Sequence, residues 1–95
     1  MNAIADTTAV VASDECLSTT VVGEAVVLHA GRSEYYGFNE VGSLVWELLQ
    51  EPRTAPELCR EVREAYDVDG EQCRRDVDAL LGELLEYGLV RRVQP

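Results

Sequence analysis

The stretch Tyr35-Tyr36-Gly37-Phe38-Asn39-Glu40-Val41-Gly42-Ser43-Leu44-Val45-Trp46-Glu47-Leu48-Leu49 reads as a strand that runs straight into an amphipathic helix. Tyr35, Tyr36 and Phe38 suit a half-buried pleated surface. Asn39 is a good N-cap, and Glu40 falls in the first turn, where the helix dipole favours a negative charge. Beyond it Val41, Leu44, Val45 and Leu48 recur at the spacing of one helical face. Whatever precedes and follows has to pack around this junction.

Upstream, Leu17–Val22 and Ala25–His29 have strand composition. Gly23-Glu24 between them, with glycine first, predicts a type II′ hairpin. Ala30–Ser33 makes the next turn, and Glu34–Phe38 is the third strand of an antiparallel meander. Its first and third strands are edges. The third is rich in aromatic residues, and only Glu34 blunts it against pairing with another chain. Residues 1–16 lack periodicity and predict a flexible N-terminal arm.

Downstream, the first helix ends at Glu51-Pro52, because proline restricts the residue before it. Thr54-Ala55-Pro56-Glu57 is a capping box that opens a second helix, with proline tolerated in the first turn. Asp67-Val68-Asp69-Gly70 breaks the chain. Asp69 then caps a third helix reaching Tyr87, with an apolar stripe of Cys73, Val77, Leu80, Leu81, Leu84 and Leu85 and with Gly88 at its C′ position. Residues 89–93 follow as a short extended tail. Three strands and then three helices predict an α+β fold: a three-stranded antiparallel sheet followed by three helices, winged helix-turn-helix-like in outline.

Composition narrows the function. The 95 residues suffice for one core. Eighteen acids against eight bases, all arginine, give a formal net charge of −10. Such a surface repels phosphate backbones, and the third helix sets Arg74 and Arg75 among five acids, the wrong balance for a recognition helix. No segment is apolar enough to span a bilayer and no signal sequence is evident, which predicts a cytoplasmic protein without a membrane partner. Cys16, Cys59 and Cys73 are widely spaced and His29 is the sole histidine, so neither a zinc pattern nor a cysteine–histidine pair emerges. Reduced structural thiols are the expectation, with no metal, no cofactor and no catalytic residue. What remains is a binding surface: an open strand edge and a long apolar helix, between which a peptide adds as a fourth strand. Coverage of both surfaces within the monomer or by a dimer partner is the competing account.

The residues also resemble a known family. Tyr35–Gly42, Val45–Leu49, Pro52-Arg53-Thr54, Tyr66-Asp67-Val68, Asp76-Val77 and Gly88-Leu89-Val90, in that order, are similar to the PqqD-like recognition elements of ribosomally synthesised, post-translationally modified peptides. Within that family the free-standing B1 type of lasso-peptide biosynthesis is the nearest in pattern. The match covers residues 17–93, and Phe38 departs from it, standing where leucine is expected. The resemblance implies that the chain catalyses nothing. It binds a precursor's leader segment between the third strand and the third helix and presents it to a separate leader-cleaving cysteine protease. An ATP-dependent macrolactam cyclase acts afterwards and is a further potential partner.

The site expected from this comprises Glu34, Tyr35, Tyr36 and Gly37 for backbone pairing, with Arg74, Val77, Asp78 and Leu81 on one face of the third helix. Strand alternation sends only one of the two tyrosines outward, and the sequence leaves open which. Val77 and Leu81 also suit a core, and Arg74 with Asp78 suits an ordinary surface pair. Two alternatives stand beside this reading. One is a peptide chaperone of pyrroloquinoline quinone synthesis or another radical-enzyme pathway; the other is an acidic winged-helix regulator.

Overall fold

The computed structural model describes residues 4–93, in the order β1 (Ala9–Ala12), β2 (Cys16–Val21), β3 (Glu24–His29), β4 (Glu34–Gly37), α1 (Glu40–Leu48), β5 (Arg53–Thr54), α2 (Ala55–Ala65), α3 (Gly70–Glu86) and β6 (Val90–Arg92). The expected meander is present as a sheet ordered β2-β3-β4, antiparallel throughout. The three expected helices follow it, so the α+β class holds.

A second sheet, ordered β5-β1-β6, lies outside the expected meander. Its central strand lies where the sequence predicts a flexible arm. For the described part of residues 1–16 that expectation is corrected; residues 1–3 lie outside the described ones. Val10 is wholly buried, β1 pairs with Arg53–Thr54 on one side and Val90–Arg92 on the other, and Ala12 N–H donates to Leu49 O at 2.8 Å. These strands are two to four residues long and come from distant parts of the chain. Local periodicity has no length over which to show.

The first hairpin turn also differs. Val21 pairs with Glu24, so the turn residues are Val22 and Gly23, with φ of 50° and 81°. Positive φ at both central positions makes a type I′ rather than a type II′ turn. Glycine accepts this at no steric cost, whereas a β-branched valine is strained there.

Helix α1 lies on the inner face of the meander. Ser43 Oγ accepts from Ala25 N at 2.7 Å and donates to Phe38 O at 3.3 Å, fastening the helix to β3 and to the end of β4. The caps read from the sequence are in place. Asn39 Oδ1 accepts from Gly42 N at 2.8 Å, and the Asp69 carboxylate from Glu71 N and Gln72 N. Thr54 and Glu57 form the reciprocal box, and Thr54 N–H donating to Glu57 Oε1 holds the Glu57 carboxyl below its usual range. Gly88, at φ 73°, closes α3: its N–H donates to Leu85 O and that of Leu89 to Leu84 O. This is the Schellman turn that a C′ glycine permits.

One continuous core results. Val27, Val45, Trp46 and Leu49 from the meander side meet Leu58, Val62, Val77, Leu81 and Leu84 from the helix side, with Val10 and Val90 of the second sheet. The outer face of the meander stays open to solvent, with Leu17 66% and Tyr35 72% exposed.

Two changes test these local features by urea denaturation. Val22 is 98% exposed, so Val22→Asn alters only the turn and should stabilise by about 1 kcal/mol. Thr54→Ala should cost about 1 kcal/mol. The Glu57 part of that box is present above the ordinary carboxylate pKa of 4.5 and is lost as pH falls through the lower folded value. Thr54→Ala keeps the backbone donor and removes only the hydroxyl that donates to Glu57 Oε1 at 3.1 Å, so its deficit should narrow in acid by that smaller share alone.

Candidate functional site

β4 has β3 on one side and no strand on the other, so one row of its backbone groups is free among the described residues. The register shows which row. Phe38 N–H donates to Ala25 O at 3.0 Å, and Val26 lies opposite Gly37. Hydrogen-bonded and non-bonded pairs alternate along an antiparallel ladder. Tyr36 therefore faces β3, while Tyr35 and Gly37 direct N–H and C=O to the open edge. A side chain built at Gly37 would meet nothing within 4 Å, so this edge is uncluttered.

Beside the edge runs α3, antiparallel to β4 and standing off from it. The space between forms two chambers that meet at Gly37, Phe38 and Leu80. The larger, about 460 Å³, is lined by Val41, Val45, Val62, Val68, Cys73, Asp76 and Val77. The smaller, about 340 Å³, lies between Tyr35, Tyr36, Glu83, Leu84 and Tyr87. Apolar groups dominate both, as in a cleft for a peptide's side chains.

Two aromatic contacts shape it. Tyr36 stacks on Tyr87 with ring centroids 5.2 Å apart and an interplanar angle of 28°, bridging β4 to the end of α3. Partial burial first, and then the Glu34 carboxylate to which its hydroxyl donates at 3.1 Å, push the Tyr36 phenol up. Phe38 stacks on Trp46 at 6.0 Å and lies over Gly42, where an added Cβ would come within 3.2 Å of Phe38 Cβ. Gly42 thus lets the Phe38 ring lie along the cleft wall.

The expected site residues fall into three groups. Glu34, Tyr35, Tyr36 and Gly37 form the edge strand, with Tyr35 outward and Tyr36 turned towards α3, which resolves the alternation. Val77 lines the larger chamber, whereas Leu81 is wholly buried and supports the floor from beneath. Arg74 and Asp78 are not brought into either chamber. Arg74 Nη2 lies 2.6 Å from Asp6 Oδ1 and its Nε 3.0 Å from Asp78 Oδ1, so the pair secures the segment before β1. The face of α3 that meets the cleft runs through Asp76, Val77, Leu80, Glu83, Leu84 and Tyr87. Of the four expected helix residues, Val77 lies on that face, whereas Leu81 points into the core one position round from Leu80. Leu80 and Leu84 were visible in the apolar stripe; Tyr87 is recognisable only once its stack with Tyr36 is known.

His29 is buried, its Nδ1 accepting from Arg32 N at 3.3 Å and its Nε2 3.6 Å from Glu15 Oε2. Burial, and then the neighbouring Cys73, push the Cys59 thiol up to about 11, away from thiolate chemistry. The cysteines are unpaired, and no cluster of metal-ligating side chains occurs among the described residues. No described helix is long and apolar enough to cross a membrane.

Comparison with known proteins places this geometry. The family model described as coenzyme PQQ synthesis protein D matches residues 24–90. No curated protein matches by sequence. Among solved structures, TbiB1 in complex with the TbiA(beta) leader peptide is 29% identical, with a TM-score of 0.81 over 90% of this chain and 99% of that one. A lasso peptide synthetase B1 complexed with its leader peptide is similar at 21% identity and a TM-score of 0.76, covering 86% and 96% of the two chains. The PqqD portion of Methylobacterium extorquens PqqCD, a stand-alone recognition element, shares the fold at 14% identity and a TM-score of 0.78, over 96% and 97%.

The division of labour on α3 is testable without a ligand. Leu81→Ala should cost about 2–5 kcal/mol in urea denaturation, as for a fully buried leucine. Leu80→Ala, on the half-buried cleft face, should cost roughly 1 kcal/mol.

Proposed function

The chain belongs to the family of coenzyme PQQ synthesis protein D, and from that premise we propose that it is a recognition subunit for the leader of a ribosomally made precursor peptide. The leader adds as a strand to β4, pairing with the outward backbone of Tyr35 and Gly37, while its inward side chains enter the cleft against Leu80. The observation that carries this reading is the open edge lying directly beside an apolar cleft. Backbone pairing supplies affinity and the chambers supply selectivity.

The bound leader is then offered to a separate cysteine protease that removes it, in lasso-peptide maturation, with the ATP-dependent macrolactam cyclase acting on the freed core. The chain itself performs no chemistry. Leader recognition draws support from the 29% identity to TbiB1, which binds a leader peptide, and the lasso assignment from the likeness in fold to a lasso peptide synthetase B1 complexed with its leader. The family model's own description favours a second reading, delivery of a peptide to the enzymes of coenzyme PQQ synthesis.

Titration of the protein with the leader encoded beside its gene, followed by backbone amide shifts, tests the proposal. Shifts should concentrate at Tyr35, Gly37 and the cleft face of α3. Gly37→Pro removes one outward N–H without touching the β3 ladder, and should weaken binding by up to about tenfold while the fold persists. Absence of binding by a soluble leader, or shifts confined elsewhere, would overturn it. Which precursor binds, a lasso or a PQQ peptide, separates the two readings.

A further inference from the structure

The two chambers of the cleft each carry a single charged side chain, Asp76 in the larger and Glu83 in the smaller, and both are acidic. Neither has a cation within salt-bridge distance among the described residues, and the one polar contact is Gln72 Nε2 donating to Asp76 Oδ1 at 2.8 Å. The opposite side of the same helix differs, because there Arg74 pairs with both Asp78 and Asp6. Arg32 lies beside Gly88 and acts electrostatically on Tyr36 at the wall of the smaller chamber, without lining either chamber. A ligand entering the cleft therefore meets one unpaired carboxylate in each chamber and no basic side chain in the lining of either.

Resting on the peptide-binding reading above, we infer that Asp76 and Glu83 select a peptide with basic side chains flanking an apolar one. Seven residues of helix separate the two acids by about 10 Å along the axis. An extended peptide advances about 3.3 Å per residue and turns alternate side chains to one face. Two lysines or arginines at an even spacing, two or four residues apart, reach both carboxylates, and the apolar residue between or beside them rests on Leu80. Charge complementarity also disfavours a second copy of this chain as the occupant, since each copy carries −10. Rim charges of this kind set selectivity and the salt dependence of association more than total affinity.

Panning a displayed library of random peptides against the protein and against the double variant Asp76→Asn/Glu83→Gln decides the matter. Both side chains are exposed and both replacements nearly isosteric, so the fold is retained, as circular dichroism verifies. The expected outcome is enrichment of evenly spaced lysine or arginine around an apolar residue. That preference should fade at high salt and vanish in the variant, with basic peptides binding it about tenfold more weakly. Amide shifts at Tyr35 and Gly37 should persist in both proteins. Peptides that bind this edge without a basic preference, or with one the variant keeps, would overturn the inference while leaving peptide recognition standing. Failure of any peptide to bind the edge, or a dimer that occludes it, would remove both.

Discussion

Everything about the cleft depends on α3 being held at its two ends and along one side only. Asp69 caps its start, and the Schellman turn at Gly88 redirects the chain into β6. β6 is then locked against β1. Val77, Leu81 and Leu84 are buried in the common core, so the helix cannot roll. On the β4 side the Tyr36–Tyr87 stack is the sole aromatic bridge among the described residues, and it sits at one end. The rest of that flank is left unfilled. A helix fixed by core packing beside a strand fixed by pairing, with space between them, is a groove present before a ligand arrives, which lowers the ordering cost of binding.

Much of this was legible in the residues, for identifiable reasons. The caps at Asn39, Thr54 and Asp69 are local hydrogen bonds within three residues, so sequence spacing contains them. Gly88 was readable because only one backbone geometry ends a helix that way. The meander was readable from β-branched runs and turn residues, although the turn itself shifted by one position. Val22, a residue that seldom accepts positive φ, hid the type I′ geometry. β1 was invisible because four residues paired with partners some forty and eighty positions away carry no local signature.

The candidate site was half legible. The edge strand follows from chain order, since the last strand of a meander has one neighbour. The helix face does not. A wide apolar stripe spans more than one face, and the sequence cannot say which part the core takes. The spacing of Arg74 and Asp78 contains their ion pair, but not the bond from Arg74 to Asp6, which lies in a segment without periodicity. Leu80 is exchanged for Leu81 by a rotation of one residue. A difference of that size matters little for a fold and much for a binding surface.

The open edge of β4 bears on how the protein behaves in crowded solution. A bare strand edge is ordinarily an invitation to like molecules, and chains usually guard it with lysines, a proline or a bulge. β4 has none of these. Protection is delegated to the molecule as a whole: with 18 acids and eight bases, any two copies repel before their edges align. The guard is collective and therefore selective by sign, keeping out copies of itself without obstructing a ligand of opposite charge. It is also screened within about a nanometre at physiological salt. Colloidal stability and access to the groove are thus governed by the same electrostatic field.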